Sequence, residues 1–495
     1  MAYPLLGLTE QKPNGSMVGG HTEAAVDIPR QVSKSTRSQD KYSGFEVSWF
    51  PTEIYQMIVN HIALDYDEYN HNQSAIRAKT LSSLARTCTF LQCLTEPYLY
   101  SFPKISRLGS YKGQEQFRLS LAVDSRRPNL VQVLDLEWDP RMYTRRLVID
   151  IARRCSNLHI LKLRCPKVAR QGDEFSQTYF DDLADLFSVC PKVRKLGLLI
   201  PFKEDCPIPE QEGQTAEFAG QLSHVELDGG SAWFQKAMLP YLSPNMISLS
   251  MIWTGLGDLT GFLETLVQRC PVMQRLELDC GEIVPVDLVR FCKASGSSLK
   301  FLYLDSLDYR GSVVSWFFPH MQVLEHLILG PDFPLHVQDI TAMSSQSCLR
   351  TFIAQTYDHQ PGNFFHGATS IDLNRALARF LSAHRLTPET MWLDGDFFLN
   401  KDVFENLKLV RNLGCVNLWW EEGVARKYID DLLEACPKLK ETLGNDDWLD
   451  KIYGDGSEDI HLLNIGNPNH VWFENDYPCW DTSWAVSLRQ PQNKY

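Results

Sequence analysis

One line of side chains recurs along most of this chain: an apolar residue, two others, an apolar residue, one other, an apolar residue. It reads Val131, Leu134, Leu136 and then Leu158, Leu161, Leu163. It returns as Val193, Leu196, Leu198; Leu222, Val225, Leu227; and Met246, Leu249, Met251. Further copies are Met273, Leu276, Leu278; Leu299, Leu302, Leu304; and Leu324, Leu327, Leu329. Leu349 and Phe352 form a weaker copy, and Met391 with Leu393 and Val416 with Leu418 read as eroded ones. From Leu134 to Phe352 the middle residues lie 24 to 29 positions apart, except for one step of 35 between Leu161 and Leu196. The polar stretch Lys167–Gln177 reads as a loop inserted there. A unit of this size cannot bury its apolar side alone, so neighbours must stack and share one core. At 495 residues the chain is long enough for about three domains or one long array, and the repeat selects the array.

Between the copies the pattern is helical. Phe262, Leu263, Leu266 and Val267 share one face of a helix expected over Asp258–Arg269. Phe180, Leu183, Leu186 and Phe187 do the same over Gln177–Val189. Arg153, Arg154 and Arg269 fall in last turns, where cations suit the helix dipole. Strand plus helix at a period of ~20–29 residues with an LxxLxL core is the pattern of leucine-rich repeats. The fold class expected is therefore α/β, a solenoid over about 128–439.

Four of the thirteen cysteines occupy one repeat position. Cys155, Cys190, Cys270 and Cys436 each stand three residues before Leu158, Val193, Met273 and Leu439. Pro191, Pro271 and Pro437 follow three of them, where proline cannot continue a helix. Ile151, Leu186, Leu266 and Leu432 lie four before each. A small buried thiol at the helix–strand corner explains this better than metal or redox chemistry, since stacked repeats hold equivalent thiols apart. The chain has no CxxC or HxxxH pair to found a zinc site. The run helix-Cys-Pro-x-apolar-x-x-Leu-x-Leu resembles the cysteine-containing leucine-rich repeats of F-box proteins. The resemblance covers about Pro128 to Leu439.

That resemblance implies a small all-α F-box just before the array, and residues 45–100 are similar to one. The family's opening, Leu-Pro-x-Glu-Ile, is matched by Phe50-Pro51-Thr52-Glu53-Ile54, with Ile58 and Ile62 continuing one helix face. Leu81–Leu91 and Pro97-Tyr98-Leu99-Tyr100 resemble its second half. Phe90 departs from the Trp often found there, and Asp65–Thr80 reads as a longer insert between helices. In the family such a module binds the Skp-type adaptor of a cullin–RING ubiquitin ligase. The resemblance carries adaptor contact onto Phe50, Pro51, Glu53, Ile54 and Ile58, with Leu84, Cys88 and Leu91 in support. The plainer reading of the same residues is a helical cap on the array.

The array would then choose the target. Residues flanking the strand leucines point away from the core, by the period of two, onto what is the concave face of this fold. They are Asp135 and Glu137, Lys162 and Arg164, Gly197 and Leu199, and Glu226 and Asp228. Then come Ser250 and Ile252, Glu277 and Asp279, Tyr303 and Asp305, and Ile328 and Gly330. Seven of these are acidic and two basic, so a basic protein segment is the expected ligand. Trp138, Trp253, Trp419 and Trp420 follow strands as candidate anchors. A solvated strand face without a ligand is the plainer alternative.

The remaining signals bound the function. With 48 Lys and Arg against 61 Asp and Glu, the net charge of −13 argues against nucleic acid and anionic membrane as partners. Gly255, Gly257 and Gly261 miss the GxGxxG spacing by one residue and suit a turn within a repeat. No Walker loop, nucleophile elbow or marked carboxylate pair is present, so no catalytic residue and no cofactor is expected. Residues 1–44 have the composition of a disordered arm and 101–127 connect to the array. The acidic, aromatic stretch 440–495 reads as a cap over the last repeat or a target-binding element. No run reaches the ~20 apolar residues of a membrane span, and the start lacks a signal peptide's basic region, so cytoplasm or nucleus is expected. The resulting expectation is a non-catalytic, target-selecting subunit of a cullin–RING (SCF-type) ubiquitin ligase. A repeat scaffold acting outside any ligase is the alternative.

Overall fold

The computed structural model describes residues 51–64, 71–101, 103, 111–138, 144–164, 185–200, 221–229, 242–252, 261–279, 283–305, 307, 311–330, 333–345, 348–354, 370–393, 399–443 and 459–465. Phe50, the 1–44 arm, the Lys167–Gln177 insert, Trp253, Gly255 and Gly257 lie outside these residues.

Three helices come first: α1 (Thr52–Leu64), α2 (His71–Ala85) and α3 (Thr89–Ser101). Val59, Ala63, Leu81 and Tyr98 make their small core, with Ile62, Leu84, Leu94 and Leu99 packed against it. Asn60 on α1 accepts from Tyr98 Oη and, at 2.7 Å, from Gln56 Nε2, which ties α1 to α3. The supposed insert Asp65–Thr80 is shorter than its sequence suggests, because α2 starts at His71. Its polar residues hold no Pro or Gly to stop a helix, and Arg77 on it donates at 2.8 Å to the Ala63 carbonyl at the end of α1.

Two further helices, α4 (Tyr111–Val123) and α5 (Arg127–Leu130), lead into the array. Leu121 of α4 joins the main core, with Phe117 and Tyr100 packed beside it. Gln114 donates at 2.7 Å to the carbonyl of Glu137 on the first strand.

Eleven parallel strands follow, each paired with the next in sequence: β1 (Val133–Glu137), β2 (Ile160–Arg164), β3 (Lys195–Ile200), β4 (His224–Gly229), β5 (Ser248–Ile252), β6 (Arg275–Asp279), β7 (Phe301–Asp305), β8 (His326–Leu329), β9 (Thr351–Ala354), β10 (Thr390–Leu393) and β11 (Cys415–Ala425). Helices return the chain between them: α6 (Thr144–Arg154), α7 (Phe262–Arg269), α8 (Pro285–Ser295), α9 (Val314–Phe317), α10 (Val337–Met343), α11 (Ser370–Ala383) and α12 (Lys401–Leu407). After β11 come α13 (Arg426–Ala435) and α14 (Pro437–Leu443). A last strand, β12 (Asp459–Ile465), pairs with β11 antiparallel. This is an α/β leucine-rich-repeat solenoid preceded by a small all-α segment.

The register follows the sequence repeat. Leu134, Leu161, Leu196, Val225, Leu249, Leu276, Leu302, Leu327, Phe352, Met391 and Val416 are aligned partners across neighbouring strands. The weak and eroded copies are therefore full members of the sheet. All these side chains enter one continuous core with the helix faces, Phe262, Leu263 and Leu266 of α7 among them. Helix α7 starts later than Asp258–Arg269 because Gly261 precedes it at φ 73°, a left-handed conformation that interrupts a helix.

Two backbone devices repeat with the strands. The carbonyl of Gln132 accepts from both His159 and Ile160, at 2.8 and 3.1 Å. The same double acceptance recurs strand after strand, down to Glu389 with Gly414 and Cys415. It pairs the N–H groups where the chain bends into each strand. At the corner before it, Cys155, Cys190, Cys270 and Cys436 are buried. Their carbonyls accept from Leu158, Val193, Met273 and Leu439 at 3.1, 3.2, 3.4 and 3.0 Å. That bond fixes the three-residue spacing seen in the sequence. Burial pushes the first three thiols up to about 12 and Cys436 up to about 11, so they are held neutral.

Candidate functional sites: an apolar helix face and the open face of the sheet

Helix α1 is apolar on two sides. Val59 and Ala63 face α2 and α3, whereas Ile54, Met57 and Ile58 remain 39, 65 and 48% exposed. Phe90 at the start of α3 is exposed beside them, its ring edge-on to Tyr55 at 5.5 Å. Pro51 and Glu53 are exposed at the start of the same helix, and Leu84, Cys88 and Leu91 are half-buried behind it. Ile62 departs from the face drawn through Ile54 and Ile58 and packs into the small core, since eight residues of helix turn past two full turns. Met57 went unmarked in the sequence. Its spacing of three from Ile54 was the available signal.

A buried carboxylate helps fasten the helical segment to the solenoid, beside the Tyr100 packing and the hydrogen bond from Gln132 N–H to the Ser101 carbonyl at 3.2 Å. Glu96 of α3 pairs with Arg127 of α5 at 2.8 Å and accepts from Gln92 at 2.8 Å. Arg127 also lies over the Tyr100 ring at 5.2 Å.

The second candidate is the sheet face turned away from the main core. Its charges are largely answered within the sheet. Asp135 is buried against Arg164, Glu226 lies 3.8 Å from Lys162, and Glu277 is buried against Arg275 and accepts from Ser250. Glu137 is half-buried. Asp228 is placed opposite Leu199 and Ile252, and Asp279 opposite Asp305, by register; their side chains fall outside the described residues. Tyr303 donates at 3.0 Å to Asp305, and both are buried. Gly330 lies so close to Asp305 that an added Cβ would sit 2.4 Å from its carboxyl carbon.

From β7 onward this face turns apolar. Phe301, Tyr303, Ile328 and Ile353 form a separate buried cluster with Trp392 packed on it. At its margin the Arg275 guanidinium lies 3.6 Å from the centre of the Phe301 ring. Phe301 in turn lies 5.9 Å from the His326 ring, and His326 Nδ1 shares a 3.0 Å hydrogen bond with Thr351. Burial pulls His326 down to about 4. Burial, then Lys195 and Arg275, pulls His224 down to about 3.

The position before each middle apolar residue was missed as part of this face. By the period of two it points the same way, and it brings Lys195 and Arg275. The acidic excess over basic residues on this face therefore falls from five to three. Trp138 is not an exposed anchor: it is fully buried in the main core, just past the end of β1. The side chains of Trp419 and Trp420 fall outside the described residues. Among the described residues no group of three or more His, Cys, Asp or Glu could hold a metal ion, and no helix is long and apolar enough to cross a membrane.

No family model and no curated protein matches the chain. The solved structures that resemble it include two weak likenesses. One is the leucine-rich-repeat-containing protein LegL7 of Legionella pneumophila, at 13% identity and TM-score 0.34, over 57% of this chain and 90% of that one. The other is the Rad7 and Elc1 complex of yeast, at 13% identity and TM-score 0.40, over 75% of this chain and 89% of that one. The fold described above rests on strand order and register, not on these likenesses.

Proposed function

We propose that the chain is the target-selecting subunit of a cullin–RING ubiquitin ligase. In this reading α1–α3 are an F-box, and Ile54, Met57, Ile58 and Phe90, with Pro51, Glu53 and Phe50, dock on a Skp-type adaptor. Leu84, Cys88 and Leu91 support that surface from behind. The observation that carries the reading is the doubly apolar α1, which fills its own core with Val59 and Ala63 and still leaves Ile54, Met57 and Ile58 in solvent. A contiguous exposed apolar face of this kind marks a protein interface.

The solenoid then holds the target. On its open face Glu137, Lys162, Arg164, Leu199, Glu226 and Trp392, with His224 and His326, are half-exposed. A preference for a basic segment narrows to Glu137, because Arg164, Lys162 and Arg275 already pair with Asp135, Glu226 and Glu277. The chain performs no chemistry; it raises the effective concentration of target beside the ligase's conjugating enzyme. It acts in the cytoplasm, the nucleus or both.

The test is capture of a Skp-type adaptor and cullin by the full chain. The Pro51→Ala, Ile54→Ala variant loses that capture while keeping the solenoid's thermal transition. Undiminished adaptor binding by the folded variant, or an intact chain that never co-purifies with adaptor and cullin, overturns the assignment in favour of a free-standing repeat scaffold.

A further inference from the structure

Strands β1 to β11 are parallel, so the helices returning between them run the same way and end along one edge of the solenoid. Helix C-termini carry a partial negative charge, and cations gather there: Arg153 and Arg154 on α6, Arg269 on α7 and Lys293 on α8. Between β2 and β3 this edge is cationic beyond what the helix ends explain. Lys192 sits at the corner of the next repeat, with its ammonium 2.6 Å from Asn157 Oδ1, and Arg194 donates its backbone N–H to the His159 carbonyl at 2.9 Å. His159 lies below its ordinary value through burial and then through Lys192 and Arg194.

Arg154, Lys192 and Arg194 are exposed, and among the described residues none has a carboxylate within ion-pair distance. Arg153 differs, with Asp150 at 3.9 Å. Elsewhere on this edge the acids are present: Arg350 meets Glu325 and Glu389, and Lys438 meets Glu389. Lys293, Lys300, Arg385 and Arg411, on other repeats, are likewise exposed without a carboxylate within that distance among the described residues, whereas the neighbouring repeats of β2 and β3 hold three such cations.

We propose that Arg154, Lys192 and Arg194 form a ridge that binds a short Asp/Glu-rich segment of a partner protein. The ligand's sign follows from three neighbouring exposed cations without a carboxylate. Its length follows from the rest of the chain. A molecule of net charge −13 repels an extended polyanion, whereas a short acidic segment feels the local field within a Debye length of ~8 Å. An extended peptide places same-side residues ~6.6 Å apart, and neighbouring strands are ~4.8 Å apart, so one segment lying along the edge reaches both repeats. The ridge belongs to the solenoid and stands whether or not α1–α3 bind an adaptor.

The test is fluorescence anisotropy of a labelled peptide of alternating glutamate and glycine with the full chain at about 50 mM and about 150 mM salt. The wild-type chain binds, less tightly at the higher salt. Arg154→Glu, Lys192→Glu, Arg194→Glu together weaken binding ~10-fold or more, equal to ~1.4 kcal/mol. The neutral triple variant to Gln gives the same loss of direction with less risk to folding. Arg411→Glu, Lys438→Glu, Lys440→Glu changes net charge equally at the far end of the edge and leaves binding within ~2-fold. Failure of the wild type to bind, an equal loss in the far-end variant, or displacement of the peptide by oligothymidine that itself needs the same three cations would each overturn the proposal.

Discussion

The helical segment and the solenoid solve the burial problem in opposite ways. The solenoid has a core that each repeat hands to the next, from Leu121 to Ile465. The segment has a core of four fully buried residues and stops. A small unit runs out of interior before it runs out of apolar side chains, because surface falls more slowly than volume as size shrinks. The excess on α1 is therefore a property of the segment's size as much as of its sequence. The same residue type carries different consequences in the two regions.

Equal truncations measure that difference. Leu276→Ala at the middle of the sheet should lower stability by ~2–5 kcal/mol, since its surroundings cannot collapse into the void. Ile58→Ala should stay within ~0.5 kcal/mol in the free chain. Urea unfolding of the two full-length variants compares them directly. A cost at Ile58 matching that at Leu276 would break the contrast and show α1 to be covered in solution.

The joint between the regions comes next. Glu96→Ala strips Arg127 of its buried partner and should cost ~1–3 kcal/mol. The loss should fall on α1–α3, read as faster protease cleavage there, with the solenoid's unfolding midpoint unchanged. A shift of the solenoid midpoint by the same amount would show that the two regions unfold as one.

A smaller, graded effect should come from pH. His326 and His224 are held by burial at about 4 and about 3, below the ordinary value near 6.5 that the unfolded chain restores. Below pH ~6.5 the unfolded chain binds protons that the folded one refuses. Stability is thus fully present above that value and falls as pH drops toward about 4 and about 3. The double variant His224→Gln, His326→Gln should flatten the dependence of the urea midpoint between pH ~7 and ~5. A slope identical to that of the wild type would assign the loss to other groups.

The strand positions were legible because one periodicity dictates both packing and register. Leu349 with Phe352, and the eroded Val416 copy, follow their predecessors by the usual step of 25, whereas Met391 stands 39 after Phe352 and is placed by its own Met-x-Leu pattern. The open face was less legible. Asp135 with Arg164 and Lys162 with Glu226 become pairs only when repeats stack. A sign count along the sequence treats each as free. Trp138 misled for a related reason, since the residue past a strand end can turn back into the core. On α1 the residues named by the resemblance, Ile54 and Ile58, are exposed, but helical geometry, not the motif, separates Met57 from Ile62.

The reversal at β12 bears on how long such an assembly can grow. Strands related by one repeated step form a lattice with a growing tip, and a tip that matches its own tail will take a second molecule and then a third. Here the tip is turned around: Ile465 faces Val416 and Asp459 faces Ala425, opposite to the sense of the preceding ten pairings. A strand continuing in the sense of β11 would meet β12 antiparallel, so it could not repeat the parallel pairing that built the array. At the other tip, α4 and α5 lead into β1, and Gln114 holds its last carbonyl. Among the described residues the array thus has two unlike ends, which do not match for head-to-tail stacking.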